Sequence, residues 1–141
     1  MIITYISLIL ISLLNFSYSG RLEVKDSWVR PAGKGMNTAL YFRVTNNSDK
    51  ADTLLYVKSS VAKMVQMHET FNKDGMMGMR QIKAVPIRAK SMLEFKPGSY
   101  HVMVMNLKED LKKGSLAEFT LHFKYAGDIA VKAPVKMAGE D

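Results

Sequence analysis

The sequence predicts an all-β domain, a sandwich or barrel of short strands. Two features carry that expectation. Short runs rich in β-branched and aromatic residues recur between compact turn signals. No long amphipathic helical pattern and no internal repeat interrupts them. The size fits a single such domain: 141 residues, 48% of them hydrophobic, is enough apolar material for one core without covalent staples.

Taken in order, Leu22–Val24 and Trp28–Val29 bracket a first strand that ends at Arg30-Pro31, and Pro31 to Gly35 (PAGKG) reads as a turn. Thr38–Thr45 is a strand by composition. The polar cluster Asn46-Asn47-Ser48-Asp49 separates it from Asp52–Ser59, which suggests a hairpin. Val61–Glu69 is a further strand. Asp74-Gly75 is the strongest turn signal in the chain, because that dipeptide favours positive-φ hairpin turns. Met76–Val85 then returns as a strand. Met92–Phe95 runs into the turn Lys96-Pro97-Gly98, and Tyr100–Leu107 follows. Lys108–Gly114 (KEDLKKG) looks helical or turn-like. Leu116–Tyr125 alternates, with Phe119, Leu121 and Phe123 on one face and Thr120, His122 and Lys124 on the other. The domain organisation expected is a signal segment over 1–19, a β-sandwich over 20–126 and a tail over 127–141 that adds an edge strand at Ile129–Val131 before fraying.

Residues 2–16 are almost unbroken apolar sequence, followed by Ser17-Tyr18-Ser19, small residues at the spacing of a signal-peptidase site. The run is short for a bilayer-spanning helix, which needs about 20 residues. No Lys or Arg precedes Arg21, so the amino terminus alone supplies the positive end. An uncleaved N-terminal anchor is the other reading; under either the domain is exported, with the periplasm as the expected location. The chain has no cysteine. Disulfides and thiol lipidation are therefore not expected, and a soft-metal site must be built from Met and His instead of thiolate. The net charge of +7 suits an acidic protein surface or anionic head groups. No basic run interleaved with aromatics suggests nucleic acid.

The chain has 11 methionines and three histidines. Two of each fall into one spaced set: His68, Met79, His101 and Met103, as H-x10-M-x21-H-x-M. Imidazole plus thioether is a ligand set for copper, above all for soft Cu(I); Zn(II) structural sites prefer thiolate, imidazole and carboxylate, and Ca(II) or Mg(II) want oxygen. In Tyr100–Met105 the alternation puts Val102 and Val104 on one face and His101, Met103 and Met105 on the other. Each residue has a plainer reading. Methionine stripes are more often core than ligand, and His68 before a turn can be a simple loop histidine. The hairpin at Gly75 offers a way to bring Met79 back toward His68, with the register open. Met77 and Met105 share the faces of Met79 and Met103 and are possible neighbours of a site. Met64, Met67, Met76 and Met92 are expected to pack, and His122 to be solvated.

This spacing, together with Trp28-Val29-Arg30, Met67-His68-Glu69-Thr70, Gly75 with Met76–Arg80, Lys96-Pro97-Gly98, Tyr100–Met103, Leu107-Lys108 and Leu121–Phe123, resembles the periplasmic PCuAC-type copper chaperones. The resemblance covers about Trp28 to Phe123. Ser99 and Asn106 stand where the family pattern has Gly, a difference of turn geometry. The resemblance implies a cupredoxin-like Greek-key β-sandwich. It implies one Cu(I) held by His68, Met79, His101 and Met103, with Cu(II) as a further possibility. Delivery would be to the CuA centre of a cytochrome oxidase subunit, alongside a thiol-based copper chaperone. A monomer is expected, touching membrane only through its signal segment or its partner. Blue-copper electron transfer needs a Cys thiolate, which is missing. Copper buffering or resistance, and a metal-free exported binding module, are the alternatives. No nucleophile–base–orienter set or G-x-S-x-G context points to an enzyme.

Overall fold

The computed structural model describes residues 22–140; the expected signal segment at 1–19 lies outside the described residues. Among the described residues, ten strands form two sheets: β1 (Leu22–Val29), β2 (Thr38–Asn46), β3 (Asp52–Lys58), β4 (Ala62–Lys73), β5 (Met76–Gln81), β6 (Val85–Ile87), β7 (Ser91–Phe95), β8 (Tyr100–Leu107), β9 (Leu116–Phe123) and β10 (Gly127–Pro134). The larger sheet runs β1-β2-β7-β8-β4-β5 and the smaller β10-β9-β3-β6. The fold is an all-β, cupredoxin-like sandwich, as the strand pattern and the resemblance led one to expect. A parallel bridge between Val29 and Val135 ties the two sheets along one side.

Alternating apolar residues from the two sheets meet in the middle. Leu40, Phe42, Val44, Phe95, Val102 and Val104 come from the larger sheet; Leu54, Phe119, Leu121 and Phe123 come from the smaller, and all are buried. Phe42 stacks on Phe95 with ring centroids 4.4 Å apart, a contact that adds about 1 kcal/mol beyond the area it buries.

Three sequence expectations change, and one with two readings is resolved. First, β2 and β3 are not a hairpin; they lie in different sheets. Both flanks of β2 are already taken, by β1 on one side and by β7 and β8 on the other. The chain therefore arches across. The buried Asn46 fixes that arch: its Nδ2 donates to the Lys50 carbonyl at 2.9 Å, and its Oδ1 accepts from the Ser48 N–H at 3.0 Å. Second, Met76–Val85 is split. β5 ends at Gln81, where the Ile82 N–H donates to the Met67 carbonyl at 2.9 Å, and the buried Val85 and Ile87 cross to the smaller sheet as β6. Third, Lys108–Gly114 follows the turn-like of its two readings; Leu111 is buried and bridges Ala32. Fourth, β10 is a full strand paired along all of β9, and Ile129, Val131, Ala133 and Val135 are core residues. The sandwich thus continues through Val135, beyond Ile129–Val131.

Candidate metal centre

β8, β4 and β5 are neighbours in the larger sheet, and their registers line up the four candidates on its outer face. His68 sits directly opposite His101, and Gln66 opposite Met103. Across the hairpin, Gln81 faces His68 and Thr70 faces Met79. Met79 is therefore the diagonal neighbour of His68 on the same face, well within reach for a long side chain. The hairpin that sets this register turns through Asp74 at φ 54° and Gly75 at φ 78°, the two left-handed residues of a type I′ turn. On β8, Val102 and Val104 point into the core and are fully buried, which sends His101, Met103 and Met105 outward. Asn106, expected to bear on turn geometry, has φ 56°, a conformation asparagine tolerates better than most residues.

His101 is the most informative residue of the group. It is only 4% exposed. Its Nδ1 contacts the Ser99 carbonyl at 3.3 Å; a carbonyl can only accept, so that nitrogen carries a proton, and in the neutral ring Nε2 then keeps the lone pair. That Nε2 is buried and has no hydrogen-bond partner, an arrangement that costs about 1–3 kcal/mol unless something binds there. The His68 ring lies 5.7 Å away, centroid to centroid, tilted by 53°. His68 Nε2 is 3.0 Å from the Gln66 amide oxygen; it is therefore the donor, and Nδ1 is left as the lone-pair atom. Burial lowers the His68 pKa below the ordinary 6.5, and the proximity of His101 lowers it further. Both effects favour neutral imidazole, the form that ligates metal.

Met79, Met103 and His101 line one cleft of about 400 Å³ together with Thr70, Tyr41 and Arg30. His68 is not on its wall; it stands beside His101. Arg30 lies over the Tyr41 and Trp28 rings, 5.5 and 5.9 Å from their centroids. Tyr41 is buried, which raises its pKa, and Arg30 works the other way. This basic-aromatic wall was visible in the sequence only as Trp28-Val29-Arg30, with no chemistry attached. Gln66 was missed, although its position two residues before His68 on an extended strand puts it on the same face.

Of the four methionines expected to pack, three do not. Met67 is core at 4% exposed, but Met76, Met64 and Met92 are 76%, 49% and 54% exposed. Met76 has core parity, yet among the described residues nothing covers that face at the hairpin tip. His122 is not freely solvated: its Nδ1 meets the Asp128 carboxylate at 2.6 Å and its ring stacks on Tyr56 at 4.5 Å. Among the described residues, no group of three or more His, Cys, Asp or Glu side chains could hold a metal ion.

A two-sheet sandwich with paired histidines and methionines on the outer face of its larger sheet is the class of protein defined by these features. The family model described as "Putative lipoprotein LpqE-like" matches residues 22–135, and the chain belongs to that LpqE-like family. It is 36% identical over 116 residues to "Putative lipoprotein Lxx21020" of Leifsonia xyli subsp. xyli, covering 82% of this chain and 69% of that protein. Among solved structures it is similar to the copper-bound PCuAC domain from PmoF2, with a TM-score of 0.70 and 28% identity over 83% of this chain and 93% of that one. It is also similar to the Cu(I) form of DR1885 from Deinococcus radiodurans, with a TM-score of 0.65 and 28% identity over 86% and 84% of the two chains. The PCuAC-type resemblance is thus supported at the level of family and fold.

Proposed function

We propose that this protein is an exported copper chaperone that carries one Cu(I) on His68, Met79, His101 and Met103. The observation that carries this reading is the buried, unpartnered Nε2 of His101, next to a second neutral histidine and in a cleft shared with two thioethers. Such an atom is an unmet acceptor in the free protein and a ligand when a soft cation is present. The likeness to a copper-bound PCuAC domain and to a Cu(I)-loaded one supports the choice of metal. The four ligands are neutral, so they add no charge to hold the ion. With Met79 61% exposed, a partner can replace them one at a time. That lability suits a carrier. The CuA site of an oxidase subunit is the proposed acceptor, a thiol-based chaperone the proposed companion, and the periplasm the proposed compartment, reached through a signal segment at 1–19.

Titration against a Cu(I) chelator under reducing conditions tests the site. One equivalent should bind, and the Met79→Ala/Met103→Ala double variant should lose most of the affinity. Unchanged binding in that variant would overturn the assignment. Loss of the protein should lower oxidase activity at limiting copper, with rescue by added copper; copper sensitivity without an oxidase defect would instead indicate buffering.

A further inference from the structure

The outer face that carries His68 and His101 continues two steps further along β4 and β8. Met64 lies directly opposite Met105, and Gln66 opposite Met103. Alternation puts Met64, Gln66 and His68 on one face of β4, and Met105, Met103 and His101 on the same face of β8. The inward neighbours, Val65 and Val104, contribute to the core, so Met64 and Met105 contribute little to it. Met64 is 49% exposed and Met105 partly exposed. Cross-strand Cβ atoms are about 5 Å apart in such pairs, and the thioether arms are long and flexible, so both sulfurs can meet on one ion. Met103 is about 6.7 Å along the same strand face, within reach of that ion as well as of the histidine pair.

Gln66 separates and links the two positions. Its amide nitrogen donates to Met64 Sδ at 3.0 Å, and its amide oxygen accepts from His68 Nε2 at 3.0 Å. The bond to Met64 uses one sulfur lone pair and orients the thioether, leaving the second lone pair free. The same glutamine fixes the His68 tautomer.

We infer that Met64 and Met105, with Met103 shared, form a second and weaker site for Cu(I) or another soft univalent cation. It would serve as a transfer position beside the histidine pair. Thioethers alone bind such ions less tightly than a set that includes imidazole, and hard cations are poor competitors for them. Movement between the two positions is ligand exchange around Met103, with no change in oxidation state and no proton released. The inference rests on the reading of Met103 as a copper ligand.

The test uses Ag(I), a soft univalent ion that does not cycle under air, titrated into protein carrying 13C-labelled methionine methyls. The first equivalent should shift the Met79 and Met103 methyls, and the second those of Met64 and Met105. The Met64→Leu/Met105→Leu variant should keep the first step, lose the second, and release its ion to a chelator several-fold more slowly. Met64 and Met105 methyls that stay unmoved in excess Ag(I) would overturn the inference, whatever the first equivalent does. If those two respond while the Met79 methyl does not, the four-residue site fails and the thioether site stands.

Discussion

A single nitrogen atom distinguishes this surface from an ordinary sheet face. His101 Nε2 is buried without a partner, while Nδ1 is tied to the Ser99 carbonyl. A ring held in one tautomer with its lone pair free is prepared for a metal in advance. His68 adds a pH dependence. Its pKa is lowered in the folded protein by burial and by His101, so the unfolded chain binds its proton more readily. This histidine costs no stability above pH 6.5, and the metal-free protein becomes less stable as pH falls from there through the lowered folded pKa. Metal-free protein should show a falling melting temperature over that window, and His68→Gln should flatten the slope. Cu(I) affinity should hold steady above pH 6.5 and weaken only below it, as read by chelator competition. A steady loss of affinity beginning well above neutrality would contradict neutral imidazole ligands.

Among the elements, the β4–β5 hairpin decides whether Met79 reaches the site. Two features set its shape. The turn places Asp74 and Gly75 at positive φ, and Gly78 lies under the Phe71 ring, where an added Cβ would come within 2.8 Å of it. The Arg80 guanidinium covers the same ring, 4.9 Å from its centroid, and pairs with Glu69. Gly75→Ala forces a strained left-handed alanine and should cost about 1 kcal/mol. Gly78→Ala must displace the Phe71 ring and should cost about 1–3 kcal/mol. Chemical denaturation measures both. Gly78→Ala should also weaken Cu(I) binding by shifting β5, although it touches no proposed ligand. Full affinity in that variant would show that Met79 is placed independently of this packing.

For the whole molecule, the sandwich is a platform whose last strand is part of its core. Truncation after Ala126 removes Ile129, Val131, Ala133 and Val135 from the interior and the whole of β9's outer partner; it should abolish cooperative unfolding in calorimetry. A native-like transition in the truncated chain would mean the first nine strands fold alone. Asp52, at the start of β3, ties down the connection between β9 and β10. Its buried carboxylate accepts the N–H groups of Thr53, Tyr125 and Ala126 at 2.7, 3.0 and 2.9 Å. Asp52→Ala strands these donors and should destabilise by about 3 kcal/mol, which a denaturant midpoint would register.

Much of this was legible in the one-dimensional pattern. Period-two alternation fixed which way Val102, Val104, Phe119, Leu121 and Phe123 point, because a strand side chain has only two faces. The Asp-Gly dipeptide located the hairpin, because few residue pairs accept two positive φ values. The spacing of His68, Met79, His101 and Met103 named the candidate site. Only the tertiary structure decided which strands are neighbours. It sent β3 and β6 to the second sheet, since β2 had no free edge and the apolar Val85 and Ile87 had to be buried. It aligned His68 with His101 across a pairing of residues more than thirty positions apart. It also left Met64, Met76 and Met92 in solvent, because a methionine is identical in sequence whether or not another layer lies above it. Faces and turns follow from local geometry; strand partners and burial depend on what the rest of the chain brings alongside.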